Sequence, residues 1–235
     1  MSGCSYNLSQ VREPGRAVAF PTALSWSSMV YAAKTDSGVI VVDLGFVGAG
    51  GALRRHLREL GVGPAEVTDV FLTHSHRDHI GAWREVRTAR FHLAAAEEPL
   101  FEGRRTHADV PSRMAQAVTG NPAPWPGEVT VRPFSADTVF TFGRDTLRAF
   151  LVPGHTAGSA AYLFRGVLFV GDAVRRDPLF GFGGAARVFS DDRRLNQESL
   201  RALFDRALPY GVRWVCNAHA KCARPDPRFI RKVTR

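Results

Sequence analysis

Three histidines and one aspartate lie within six positions of this chain, at His74, His76, Asp78 and His79. They follow an apolar run over 70–72 that predicts a β-strand. Because side chains alternate along an extended segment, His74 and His76 point in the same direction. Asp78 and His79 come after the chain has begun to turn, so they can face a second point nearby. The spacing therefore favours two adjacent metal ions, one held by His74 and His76 and the other by Asp78 and His79.

The donor types narrow the choice of metal. Imidazole and carboxylate ligands suit zinc and its neighbours in the first transition row. Two other interpretations are a polar loop with solvated histidines and a purely structural zinc site. Structural sites usually close with four cysteine-rich ligands, and no thiolate pattern accompanies these residues. A catalytic metal site is therefore the favoured hypothesis.

The motif H-x-H-x-D-H also resembles the signature of the metallo-β-lactamase-fold hydrolases, and the resemblance extends over about 39–219. It implies further ligands from later loops, in the order histidine, aspartate, histidine. His155 in a Pro-Gly-His-Thr segment, Asp172 after a glycine, and His219 in an Asn-Ala-His segment supply them. The fold that the resemblance implies is of the α/β class, a four-layer αββα sandwich of two mixed β-sheets.

These seven residues form two ligand groups by charge and reach. The first group is His74, His76 and His155, the second group is Asp78, His79 and His219, and Asp172 would bridge them. The expected cofactor is two zinc ions, with iron or manganese as alternatives. A hydroxide between ions about 3.5–4 Å apart can attack a carbonyl or phosphorus at neutral pH. Asp78 is also the candidate catalytic acid for the leaving group, with metal-bound water as the alternative.

Two further residues are expected to support the metal site without touching metal. In the resembled family an aspartate at the position of Asp43 has this role, and Thr73 is assigned to it as well. A turn aspartate is the alternative interpretation of Asp43.

The bridging aspartate is shared by the glyoxalase II-like, lactonase-like and phosphodiesterase-like branches of the resembled family. A small ester, thioester or lactone is the expected substrate. The chain ends sixteen residues after His219, too soon for the helical domain that binds glutathione in glyoxalase II. Alternatives are a phosphodiesterase acting on nucleic acid or a small molecule, and an iron-dependent redox enzyme of the same fold.

The composition fits a single hydrolase domain over 1–235, since 45% of residues are apolar. No apolar run is long enough for a membrane span, and 1–6 lacks a signal-peptide pattern, so the cytoplasm is the expected compartment. Three cysteines do not indicate a disulfide framework. The net charge of +9 comes from scattered arginines and a tail over 224–235 that is expected to be solvated, so no specific nucleic-acid partner is predicted. The oligomeric state is not indicated.

Four apolar strands position the ligands, at 70–72, 147–152, 167–170 and 212–216. Other expected elements are a hairpin over 29–42, strands over 129–131, 138–142 and 160–164, and helices over 52–60, over 80–86 and beginning at 190–192. Two segments, 103–127 and 175–190, are rich in proline or glycine and are expected to be irregular. The first is interpreted as a flap over the site, with His107 as a candidate for substrate contact. Trp125, Phe180 and Phe182 are candidates for an apolar pocket wall.

Overall fold

The structure, a computed structural model, describes residues 18–21, 29–120, 123–124, 127–177, 179–220 and 222–235. Within these ranges the strands, β1 to β13, are Val18–Pro21, Met29–Thr35, Gly38–Val42, Val67–Phe71, Arg90–Ala94, Thr130–Phe134, Thr138–Phe142, Asp145–Leu151, Ala160–Phe164, Val167–Gly171, Val174–Asp177, Gly181–Gly184 and Trp214–Asn217. The α-helices, α1 to α5, are Gly50–Glu59, Glu98–Phe101, Val110–Thr119, Arg193–Ala207 and Pro227–Val233. Short 3₁₀ helices occupy Pro64–Glu66, Trp83–Val86, Arg187–Phe189 and Leu208–Tyr210.

Two mixed sheets form the centre of the molecule. The first has the strand order β1-β2-β3-β4-β5-β6, antiparallel among its first three strands and parallel from β3 onward. The second has the order β13-β10-β9-β8-β7, in which β10 and β13 are parallel and the other pairs antiparallel. Strands β11 and β12 form a separate antiparallel ribbon.

Three apolar layers separate the two sheets and their helices. Leu53 and Leu57 of α1 pack with one face of the first sheet. Phe71 and Tyr162 lie in the layer between the sheets, and Phe204 of α4 packs on the outer face of the second sheet. The expected four-layer αββα sandwich is therefore confirmed. Neighbouring residues in a strand enter different layers, which explains why these strands are apolar without alternation.

Several elements differ from the sequence-based expectations. The helix expected over 80–86 is only the 3₁₀ turn Trp83–Val86. The segment 103–127, which was expected to be irregular, contains the ten-residue helix α3. Pro111 does not prevent this helix, because it lies in the first turn, where proline is compatible with a helix. The segment 175–190 contains the β11–β12 ribbon. Residues 1–17, as well as Trp125, lie outside the described residues.

The C-terminal region also corrects two expectations. The tail is not wholly solvated, because α5 places Phe229 and Val233 in the third apolar layer. Cys216 is buried, as expected of a small apolar residue, but it is joined to Cys222 by a disulfide. An odd number of cysteines excludes a complete framework but not one pair. Among the described residues, no helix combines the length and apolar character needed to cross a membrane.

Gly154 positions the backbone directly before His155. Its φ is +129°, and a Cβ atom there would lie 2.2 Å from the backbone nitrogen of Asn196. Gly154→Ala is expected to lower the free energy of unfolding by a backbone cost of about 1–3 kcal/mol and a steric cost of about 1–3 kcal/mol. Gly48→Ala is the control, because Gly48 has φ +95° and no atom within 4 Å of the added carbon. Urea unfolding measures both variants, and equal losses would contradict the steric contribution.

Candidate metal centre

The predicted ligands follow strands of both sheets and lie at one edge of the sandwich. His74 and His76 follow β4 of the first sheet, whereas His155, Asp172 and His219 follow β8, β10 and β13 of the second. Loop residues that directly follow the strands of a rigid sheet have little conformational freedom. All seven predicted ligands are brought together at this edge, in the groupings described next.

The first group consists of buried imidazoles that face one another. His74 Nε2 and His76 Nδ1 each lie 3.1 Å from His155 Nε2. Burial, reinforced by His79, holds the pKa of His74 well below its usual value. Burial and His76 lower the pKa of His155 to about 3. At neutral pH the rings of His74 and His155 are therefore uncharged, and their converging nitrogens suit a cation placed between them.

The second group carries more charge and is more open. His219 Nε2 lies 3.3 Å from Asp78 Oδ2, and His79 Nε2 lies 3.7 Å from the same oxygen. Burial lowers the pKa of His79, but Asp78 and Asp43 outweigh it and raise that pKa to about 10. Burial likewise lowers the pKa of His219, but Asp172 outweighs it and raises the pKa to about 9. Protons therefore occupy this group when no ion does.

Asp172 lies between the two groups. Its Oδ2 is 3.1 Å from His219 Nε2 and 3.8 Å from His155 Nε2, while its Oδ1 is 3.7 Å from His79 Nε2. Burial raises the pKa of Asp172, but the charge of His219 and its hydrogen bond outweigh burial and hold that pKa below its usual range. The buried Asp172 Oδ1 and His79 Nε2 make no hydrogen bond within the part of the chain that the structure describes. These atoms and the facing nitrogens of the first group fit a pair of metal ions.

Asp43 organises the start of the metal loop, at the position where sequence reasoning placed a supporting residue. Its carboxylate accepts hydrogen bonds from Thr73 N and Thr73 Oγ1, both at 2.8 Å, and from His79 Nδ1 at 2.9 Å. Thr73 Oγ1 in turn lies 3.1 Å from His74 Nδ1. Asp43 has φ +56°, an uncommon conformation for a residue with a side chain. These bonds leave Nε2 of both histidines directed at the site.

Sequence reasoning did not find the partners of the other two buried histidines. His155 Nδ1 lies 3.2 Å from Ser190 Oγ, which donates its own proton to Ala186 O at 2.6 Å and therefore accepts from the ring. His76 Nε2 lies 3.1 Å from Asp109 Oδ2. Ser190 and Asp109 are distant in the chain from the histidines they contact, so no local pattern could have revealed them.

Glu97 is a further residue that sequence reasoning missed. It is fully buried, and its carboxylate accepts from Ser75 N at 2.7 Å and Ser75 Oγ at 2.6 Å. It also accepts from Thr156 Oγ1 at 2.7 Å and Gly158 N at 3.1 Å. Ser75 separates His74 from His76, and Thr156 follows His155. Glu97 therefore ties together the two loops that carry the first group.

Residues expected at the substrate have different surroundings. His107 is buried with its ring centroid 4.3 Å from that of His76, and burial and His76 lower its pKa to about 4. Phe182 is partly buried and packs 5.2 Å from Phe229, against the third apolar layer, and its assignment to a pocket wall stays a prediction. Phe180 is 74% exposed.

Comparisons with known proteins agree with this architecture. Residues 24–219 match the family model of the metallo-beta-lactamase superfamily, and the chain belongs to that superfamily. It is similar to the BLEG-1 B3 metallo-beta-lactamase (TM-score 0.68, 22% identity, covering 91% of this chain and 99% of that one). It is also similar to a metallo-beta-lactamase family protein from Thermus thermophilus (TM-score 0.66, 23% identity, covering 93% and 77%). These similarities concern the fold.

Curated relatives are named as hydrolases. A hydroxyacylglutathione hydrolase from Gloeobacter violaceus is 34% identical over 142 residues, covering 60% of this chain and 44% of the relative. A second, from Halorhodospira halophila, is 36% identical over 165 residues, covering 66% and 52%. The probable metallo-hydrolase YqgX from Bacillus subtilis is 29% identical, covering 63% and 69%. The chain spans about half the length of the two hydroxyacylglutathione hydrolases.

The different charges of the two groups predict different proton release when metal binds. Because His74 and His155 are neutral at pH 7, the first zinc equivalent is expected to release almost no protons. The second must displace protons from His79 and His219, whose pKa values are about 10 and about 9. Its affinity should therefore rise with pH, by about tenfold per unit for each proton released. Calorimetric titration in buffers of different ionisation enthalpy counts these protons, and equal release in both steps would contradict the assignment.

Glu97→Gln is expected to lower the free energy of unfolding by about 1–3 kcal/mol. Glutamine has only one acceptor oxygen, so its NH₂ group would face at least one of the N–H or O–H groups that now donate to the carboxylate. Glu98→Gln, the same change at the next and partly exposed residue, is the control. Urea unfolding with and without zinc measures the loss, which should be larger with zinc. A Glu97→Gln variant as stable as the control would show that the tie between the loops is unimportant.

Proposed function

We propose that this chain is a hydrolase that binds two zinc ions and cleaves a small ester, thioester or lactone. The observation that carries the proposal is the convergence of seven histidine and aspartate side chains in two groups, with Asp172 between them. Iron or manganese would use the same nitrogen and oxygen donors. The first group would hold one ion and the second group the other. Bound there, the ions would supply Lewis acidity and lower the pKa of water to about 7.

The differences in exposure indicate the side from which a substrate approaches. The side chains of Asp78, Asp172 and His219 are 23%, 21% and 38% exposed, whereas the histidines of the first group are buried. A substrate carbonyl would therefore enter over the second group. Asp78 lies on this open side, and we assign it the transfer of a proton to the leaving group.

The distribution of charge favours a small substrate over a polyanion. Several arginines are paired with carboxylates, as in Arg90 with Asp69, Arg165 with Asp145 and Arg206 with Asp137. Such pairing disperses the positive charge instead of concentrating it beside the site. Hydroxyacylglutathione, named for two relatives, is a thioester. This supports a carbonyl substrate. We also propose that residues 1–235 form a single hydrolase domain.

The first test is elemental analysis of the purified chain, which should contain two metal ions. Acyl-thioesters, lactones and aryl esters form one assay panel, and single-stranded RNA, DNA and bis-aryl phosphodiesters form another. Asp78→Ala and His79→Ala should lower hydrolysis of the first panel by more than about a hundredfold. Replacing a residue that only supports a metal ligand typically costs about 10–100-fold, so a larger loss indicates that the residue itself binds metal. His56→Ala, a histidine on α1 outside both groups, is the control.

Circular dichroism should show that both variants remain folded, because the apolar layers do not depend on these residues. Cleavage of the second panel alone, lost in His74→Ala, would favour a phosphodiesterase. One tightly bound iron with no second ion would favour a redox enzyme.

A further inference from the structure

The helix α3 is bonded at both ends to neighbouring residues of the metal loop. At its start, Asp109 Oδ1 accepts from Ser112 N at 2.8 Å, while Oδ2 lies 3.1 Å from His76 Nε2. Near its end, Arg77 Nη1 donates to Ala115 O at 3.1 Å and to Gly120 O at 3.3 Å. Two consecutive residues, one of them in the first group, therefore contact opposite ends of one helix.

Polar contacts have unusual importance for this helix. None of residues 110–118 is buried, and Val110, Met114 and Val118 are 55%, 64% and 83% exposed. A helix with so little buried apolar surface gains little stability from packing. By contrast, the side chains of Asp109 and His76 are only 1% and 8% exposed. The contact between Asp109 and His76 is therefore the buried part of the attachment of α3 to the metal loop.

The Asp109 carboxylate also determines which nitrogen His76 presents to the first group. His76 Nδ1 faces His155 Nε2 at 3.1 Å, and on the opposite side of the ring the Asp109 carboxylate accepts a hydrogen bond from Nε2–H. His76, His107 and Asp109 place ligand-type atoms within 4.8 Å of one another, so a separate metal site is the alternative explanation. An ion on Nε2 would require His76 to lose its last ring proton if Nδ1 also binds metal. A hydrogen bond has no such requirement and explains the geometry.

We propose that Asp109 is a positioning residue that holds His76 Nδ1 toward the first group, and that the order of α3 is coupled to metal in that group. The proposal rests on the proposed function only in assuming that metal binds there. Coupling is reciprocal: if an ordered α3 favours metal binding, metal binding must favour an ordered α3.

Asp109→Asn separates positioning from helix capping. Asparagine remains a good cap for Ser112 N, but its single oxygen cannot replace both carboxylate oxygens, and its amide would face the proton on His76 Nε2. Asp226→Asn is the matched control, since Asp226 caps α5 through Phe229 N at 2.8 Å. Competition with a chelator should show first-step zinc affinity about 10–100-fold weaker in Asp109→Asn and unchanged in Asp226→Asn. The visible spectrum of the Co²⁺-loaded first site should change in Asp109→Asn alone.

Hydrogen exchange tests the coupling of α3 to the metal. In the wild-type chain, zinc should slow amide exchange within 112–119 by at least about tenfold. Asp109→Asn should abolish this protection. Arg77→Gln leaves the Asp109–His76 contact in place, so it should accelerate exchange in α3 and, by the same reciprocity, weaken first-step zinc affinity by less than Asp109→Asn does.

Wild-type zinc affinity in Asp109→Asn, or an equal loss in Asp226→Asn, would overturn the positioning role. Exchange in α3 that is indifferent to zinc would overturn the coupling. In either case two-metal binding and hydrolysis by the wild type could stand. A wild-type chain that binds no metal would remove the proposed function and this proposal together.

Discussion

An imidazole can offer a metal only the nitrogen that its other hydrogen bond leaves available, and this fold supplies that bond for four histidines. Thr73, Asp43, Ser190 and Asp109 are the four partners. They come from the loops after β3 and β4, from the loop before α4 and from the start of α3. The packing of layers and loops therefore places these acceptors behind the four converging rings, and only Thr73 is a chain neighbour of its histidine. Without these acceptors, the same histidines would be free to rotate or exchange tautomers.

Electrostatics then distinguishes two halves of one centre. Burial makes His74 and His155 poor bases. The nearby carboxylates of the second group have the opposite effect, and they retain protons on His79 and His219. Asp172 touches both halves and remains an anion because His219 stabilises its charge. In the first half, a cation is favoured because the ring nitrogens are uncharged. In the second half, a cation is favoured because it can replace protons that lie between carboxylates.

Local pattern was sufficient for short runs of apolar, aromatic and β-branched residues. The predicted ranges of β7 and β9 coincide with the observed strands Thr138–Phe142 and Ala160–Phe164. Pattern was insufficient for α3, where proline was taken as an end of regular structure although it lies in the first helical turn. It was also insufficient for the C-terminal region, because only contact with α4 and β12 shows that α5 is packed.

The sequence alone determined the ligand types, their spacing and the strands that precede them, because these depend on residue identity and on short-range backbone periodicity. Only the tertiary structure decided which nitrogen of each ring faces the site, that Asp172 lies between the two groups, and that Glu97 ties two loops together. Glu97 is 59 residues from Thr156, and Asp109 is 33 residues from His76. Hydrogen bonds across such separations exist only after the sheets have packed, since no local propensity specifies them.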